Sequence, residues 1–164
     1  MAIQSDGKIV AAGFLIDSYY YSFSGYAIAR YNTDLSIDTG FSGEGIGRPS
    51  VSGNLINSML IQDNGKIVVA GRTLVRYNTD GSHDSTFNGN GIVYPGNTIS
   101  SIINQTDGKI IAAGDYFNIF RYNIDGSLDK TFSEDGHQST TFGTSLNYCN
   151  SVAVQTDGKL IAFG

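Results

Sequence analysis

Ile3-Gln-Ser-Asp-Gly-Lys-Ile-Val-Ala-Ala-Gly13 returns as Ile61-Gln-Asp-Asn-Gly-Lys-Ile-Val-Val-Ala-Gly71, as Asn104-Gln-Thr-Asp-Gly-Lys-Ile-Ile-Ala-Ala-Gly114 and as Val154-Gln-Thr-Asp-Gly-Lys-Leu-Ile-Ala-Phe-Gly164. A repeat is read before anything else, because its unit dictates the whole fold. Asp-Gly or Asn-Gly between β-branched runs is a hairpin signal, since a type I′ turn needs positive φ at both central residues. Each segment therefore predicts a strand, a turn at Gly7, Gly65, Gly108 or Gly158, and a second strand. That second strand opens on Lys and becomes small, which lets neighbouring sheets approach, and its closing Gly predicts a tight bend.

A second motif alternates with the first: Arg30-Tyr-Asn-Thr-Asp-Leu-Ser-Ile-Asp38, Arg76-Tyr-Asn-Thr-Asp-Gly-Ser-His-Asp84 and Arg121-Tyr-Asn-Ile-Asp-Gly-Ser-Leu-Asp129. Three residues beyond each stands a Phe (Phe41, Phe87, Phe132), expected to plug into the core. Tyr26-Ala-Ile-Ala-Arg-Tyr31 alternates as a strand does, and the Asn-x-Asp-Gly-Ser pattern supplies side-chain oxygens for turn amides. No useful 3.6-residue periodicity appears. The turn residues Asp6, Asn64, Asp107 and Asp157 are unevenly placed, as when rigid units are joined by loops of different length. Two hairpin-like modules make a four-stranded unit of roughly 40–50 residues. The expected fold is all-β, a β-propeller of tandem four-stranded blades, about three and a half per chain. The blades fall at about residues 1–47, 55–93 and 98–138, with a half blade at 149–164.

The phrases Gln4-Ser-Asp-Gly-Lys-Ile-Val-Ala-Ala-Gly13, Tyr26-Ala-Ile-Ala-Arg-Tyr-Asn-Thr-Asp34 and Arg121-Tyr-Asn-Ile-Asp-Gly-Ser-Leu-Asp-Lys-Thr-Phe132 resemble the delta-sixty repeat. This is a β-propeller repeat of unknown function, common in bacterial secreted and surface proteins. The resemblance covers essentially the whole chain and implies a propeller at the cell surface or outside the cell. Leu35 departs from it, standing where the second motif otherwise has Gly. So does Asn64, where the other three copies have Asp.

Composition narrows the function. The chain has 164 residues and a formal charge of -5, with 40% hydrophobic residues, ten Tyr and nine Phe. That aromatic content argues against disorder, and the negative charge argues against nucleic-acid binding. Cys149 is the sole cysteine, so no internal disulfide is expected. The opening residues are not a secretion signal, and apolar runs such as Ile9 to Ala12 are strand-sized, so no membrane insertion is expected. Propellers close with roughly four to eight blades. Three and a half blades predict a homodimer or other homo-oligomer completing a ring, unless the chain belongs to a longer polypeptide.

Candidate chemistry is sparse. Asp34 and Asp38, Asp80 and Asp84, and Asp125 and Asp129 are oxygen-rich pairs that could hold Ca²⁺, but an Asx turn explains them better and no cofactor is expected. Arg30, Arg76 and Arg121 are expected to fork onto Asp38, Asp84 and Asp129 and to stack on an aromatic, as parts of the frame. His83 and His137 do not pair as metal ligands, Cys149 has no marked basic partner, and Glu44 and Glu134 occupy the same loop of two repeats. Catalytic residues are therefore expected to be absent. The repeat's symmetry is broken in the links between modules. Gly13 to Arg30 is long, whereas Gly71 to Arg76 and Gly114 to Arg121 are short. The long link carries Tyr19, Tyr20, Tyr21, Phe23 and Tyr26, an adaptable surface that could bind a ligand. The first reading is a non-catalytic scaffold for a protein or glycan ligand. The second is a lectin using the tyrosine-rich link, and the third is a propeller hydrolase or lyase.

Overall fold

A computed structural model describes residues 1–17, 22–47, 55–143 and 147–164, the side chains of 15–17 and 22–25 excepted. The described residues form fourteen strands. One sheet runs in the order β1 (Ala2–Ile3), β2 (Ile9–Asp17), β3 (Ser22–Tyr31), β4 (Ile46–Gly47). The next holds β5 (Ile56–Ile61), β6 (Ile67–Gly71), β7 (Leu74–Tyr77) and β8 (Ile92–Val93). A third holds β9 (Ile99–Asn104), β10 (Ile110–Gly114), β11 (Asn118–Tyr122) and β12 (His137–Ser139), and β13 (Ser151–Val154) pairs with β14 (Leu160–Phe163). Every pairing is antiparallel between consecutive strands, so the chain is all-β and each full sheet is the meander of a propeller blade.

The hairpin turns differ from expectation in one respect. Gly7 N donates to Gln4 O at 2.9 Å and Gln4 N to Lys8 O at 2.8 Å. Gly7 has φ +84, whereas Ser5 and Asp6 are not left-handed. This is a type I turn followed by a left-handed glycine, the three-residue hairpin with a bulge, and not type I′. Asp6 favours it, because its carboxylate accepts the Lys8 amide at 3.0 Å and so closes the turn from an ordinary backbone conformation. The same bond recurs from Lys66 to Asn64, from Lys109 to Asp107 and from Lys159 to Asp157.

Alternation along the strands explains how blades stack. In β6, Ile67 and Val69 join Val10, Tyr26, Ile28 and Phe41 of the first blade in one apolar cluster. Their neighbours Val68 and Ala70 point the other way, into a cluster with Ile99, Ile110, Ala112 and Phe120 of the third sheet. In β10, Ile111 and Ala113 turn to Cys149 and Val152. β6 is consequently buried along its whole length, and every core lies between two blades. Serines tie the first strands together: Ser58 Oγ accepts Ile102 N at 3.1 Å, and Ser101 Oγ accepts Val152 N at 3.3 Å. Backbone approach is close where β6 and β10 end. A Cβ on Gly71 or Gly114 would lie 1.8 or 1.9 Å from the carbonyl oxygen of Leu55 or Thr98.

Candidate functional site

A meander has two ends. The Asp-Gly turns and the Asn-x-Asp-Gly-Ser turns share one, and the links between modules and between blades share the other.

The turn end is built from repeated charges. Asp84 Oδ2 accepts Lys66 Nζ at 2.7 Å and Arg76 Nε at 2.6 Å. Asp38 likewise takes Lys8 at 2.8 Å and Arg30 at 2.7 Å, and Asp129 takes Lys109 at 2.9 Å and Arg121 at 2.7 Å. Each aspartate thus joins the lysine of the first module to the arginine of the second. Sequence reading missed the lysine, although its constant place after the turn glycine was the signal. Burial opposes ionisation of Asp84, but hydrogen bonds from Lys66, Thr86 and Arg76 outweigh it and hold the carboxyl well below the usual range. Lys109 and then Thr131 do the same for Asp129.

The arginines do not fork onto one carboxylate. Arg30 Nη1 leaves its blade to donate to Thr79 O of the next at 2.6 Å, and Arg76 Nη1 donates to Ile124 O in the same way. Each guanidinium also lies over its own repeat's phenylalanine, Arg30 at 4.6 Å from the Phe41 centroid and Arg76 at 4.4 Å from that of Phe87. The phenylalanine in turn abuts the neighbouring blade. A Cβ on Gly81 would lie 2.9 Å from the Phe41 ring, and one on Gly126 2.7 Å from Phe87. Ser42 N donates to Asp80 O, and Asn88 N to Asp125 O, both at 2.6 Å. Arginine, phenylalanine and amide form a clasp on the next blade's turn. Arg121 lies 4.9 Å over Phe132, but that ring is only half-buried, whereas Phe41 and Phe87 are fully buried.

The paired aspartates separate by role. Asp80 Oδ1 accepts the Ser82 amide at 2.9 Å and its hydroxyl at 2.6 Å, with the same contacts at Asp34 and Asp125. Asp84, four residues on, faces the basic pair instead. No group of three metal-ligating side chains occurs among the described residues. His83 stands edge-on to Tyr77, with centroids 5.2 Å apart, and burial lowers its pKa. His137 Nε2 lies 2.8 Å from Asn118 Oδ1, and its ring stacks on Phe120. Cys149 is buried, and burial raises its thiol pKa. Glu44 and Glu134 are exposed.

At the link end the repeat is lost and aromatics appear. Tyr94, Tyr116, Phe142 and Tyr148 are all exposed there. A groove of about 440 Å³ opens between the second and third blades, lined by Arg72, Thr73, Tyr94, Asn97, Asp115 and Tyr116. Three links supply them: β6–β7, β8–β9 and β10–β11. Tyr19, Tyr20 and Tyr21 lie outside the described residues, as does the Phe23 side chain. Tyr26 is corrected: it is fully buried between the first two blades, and its hydroxyl lies 2.7 Å from Thr73 Oγ1. It is a core residue and presents nothing to a ligand. Sequence reading also missed the groove residues, which belong to no motif.

Stacked four-stranded meanders with interblade cores define a β-propeller frame. Residues 4–41, 62–87 and 105–132, more than half of the chain, match the family described as a domain of unknown function (DUF5122) beta-propeller, and the chain belongs to that family. Among solved structures it is similar to a protein of unknown function from Bacteroides caccae, with a TM-score of 0.59 and 14% sequence identity. The match covers 92% of this chain and 49% of that one, so the chain spans about half the length of that relative. No curated protein matches it.

Proposed function

We propose that this chain is a non-catalytic propeller scaffold of the delta-sixty kind, which holds a protein or glycan ligand at its link end. The observation that carries the reading is the contrast between the two ends. The turn end repeats the same ion pairs blade after blade, whereas the link end varies and exposes aromatic rings. Residues that recur in every unit serve the unit, and the variable loops on a rigid frame are where binding is built. Support for the non-catalytic reading comes from the charges: Lys8, Lys66, Lys109, Arg30, Arg76 and Arg121 are all engaged by frame aspartates. Extracellular or cell-surface placement follows from the resemblance to delta-sixty repeats.

Self-association into a completed ring belongs to the same reading. The test is to probe immobilised glycans and extracellular proteins with the labelled chain, while measuring turnover on a broad substrate panel. Binding without turnover is expected, and turnover of any panel member would overturn the scaffold. Sedimentation velocity should show a dimer or larger closed species, and a well-folded monomer would remove the ring.

A second reading, the lectin, is favoured by the exposed Tyr94 and Tyr116 beside polar groups in one groove. In its original form it uses the tyrosine-rich link, so replacing Tyr19, Tyr20 and Tyr21 with Ala should abolish sugar binding.

A further inference from the structure

The geometry points to the groove between the second and third blades as a binding site for a neutral saccharide, with Tyr94 and Tyr116 as stacking platforms and Arg72, Asn97 and Asp115 as hydroxyl partners. This rests on the lectin reading, and moves its site from the tyrosine-rich link to a different part of the same end.

Four observations converge. First, several of the groove's polar atoms take no part in the frame. Among the described residues Arg72 and Lys130 are the basic side chains without an ion pair. Asp115 uses Oδ2 to accept the Thr98 amide at 3.1 Å, and its Oδ1 has no partner. Asn97 makes no side-chain hydrogen bond, so its amide offers both donor and acceptor. Second, the charges balance. One arginine and one aspartate make a poor field for a phosphate or a cation, but their planar, two-pronged heads suit vicinal hydroxyls. Third, Tyr94 and Tyr116 are 68% and 54% exposed, each with an apolar ring face and a polar tip. Such faces pack against the C–H face of a pyranose.

The fourth is backbone strain. Tyr116 and Phe117 have φ +59 and +53, and Asn118 N donates to Asp115 O at 3.2 Å. Both central residues of this tight turn are left-handed, a conformation in which Asn or Gly is usual and a bulky side chain is an outlier. Phe117 is buried and so contributes packing. Tyr116 is 54% exposed, so its ring is not held in a core. The turn geometry serves the β10–β11 hairpin, but a bulky exposed residue held left-handed is the kind of outlier that clusters at binding sites. The volume, about 440 Å³, lies within the roughly 300–1,000 Å³ of small-molecule sites.

The test starts with an array of neutral and acidic glycans, followed by calorimetric titration of the best neutral binder. Tyr116→Gly removes the ring and relieves the turn together, so its melting temperature should hold or rise while affinity falls about tenfold or more. Tyr94→Ser should lose binding similarly at unchanged stability. Undiminished affinity in both variants overturns the groove. If the triple replacement of Tyr19, Tyr20 and Tyr21 then abolishes the signal, the lectin reading stands without this site. An array on which nothing binds, or only acidic glycans bind, also overturns the inference. The former removes the lectin as well, and leaves the scaffold with a protein ligand.

Discussion

Leu35→Gly and Gly81→Leu exchange the same two residues at one turn position in two copies of the repeat. Both positions are left-handed, at φ +67 and +84, so the backbone contribution is the same in size and opposite in sign. A left-handed non-glycine residue costs roughly 1–2 kcal/mol, partly offset by the entropy that glycine loses on folding, up to about 1 kcal/mol. Leu35 is 68% exposed, so removing it forfeits little burial. Leu35→Gly should therefore stabilise the protein by about 0.5–1 kcal/mol. At a chain of this length that raises Tm by about 2–4 °C per kcal/mol. Gly81 is different, because a Cβ there would sit 2.9 Å from three atoms of the Phe41 ring. That ring is fully buried and lies beneath the Arg30 guanidinium, so it has no room to retreat. Overpacking of about 1–3 kcal/mol adds to the backbone cost, and Gly81→Leu should lose roughly 1.5–4 kcal/mol. Urea unfolding measures both, read as a shift in midpoint at constant slope. Equal and opposite shifts would refute the argument, since they would mean that the interblade ring contact adds nothing to the conformational cost.

Phe87→Ala should cost about 3–5 kcal/mol as a fully buried ring, and Phe132→Ala clearly less, which paired urea titrations would show. Asp84→Asn leaves Lys66 and Arg76 without their anion in a buried site, so a loss of about 3–5 kcal/mol is expected, against at most about 0.5 kcal/mol for an exposed control such as Glu44→Gln. The folded-state pKa values of Asp84 and Asp129 are depressed. Their contribution is thus complete above the unfolded carboxylate value, about 3.9, and is lost as pH falls from there toward the folded values. Thermal melts between pH 7 and pH 2 should drop steeply only in the acidic half, and Asp84→Asn should flatten part of that drop. Cys149 should resist a thiol reagent in the native protein and react fully in urea, and rapid native labelling would contradict its burial.

The blades were legible because each physical requirement had its own residue. Glycine marked the left-handed turn position, β-branched pairs marked the strands, and Phe41 and Phe87 marked the core, Phe132 being only half-buried. The turn type was not legible, because Asp-Gly satisfies type I′ and the bulged type I turn equally. The Asp6 bond to the Lys8 amide is what selects the second. Tyr26 was misplaced because the run of tyrosines passes from link into strand without a change of composition. Its spacing from Ile28 and Arg30 puts it on the strand face that meets the next blade. The groove was invisible for another reason: Arg72, Tyr94, Asn97, Asp115 and Tyr116 come from three links that share no pattern. Only subtraction finds them, as the large polar and aromatic residues left over when the frame is removed.

Leu35 bears on what can pack against the outer side of the first blade. In the two interblade contacts that carry the full clasp, the turn glycine receives a phenylalanine from the preceding blade, with under 3 Å between the ring and a notional Cβ. A blade arriving at Asn32–Ser36 with the same ring in the same place would meet the real Cβ of Leu35. The turn itself is closed as in the second blade, with Asn32 N donating to Ser36 O at 2.8 Å and Leu35 N to Asn32 O at 3.0 Å. A surface docking on this turn would therefore have to present a smaller residue or a shallow apolar pocket to the leucine. Two copies joined through this turn by an unaltered Phe132 would meet the same clash as Gly81→Leu. Leu35→Gly should accordingly strengthen any association that uses the repeat's own clasp, measurable as a rise in sedimentation coefficient at fixed concentration. An unchanged coefficient in a protein that does associate would show that the ring is completed through a different surface.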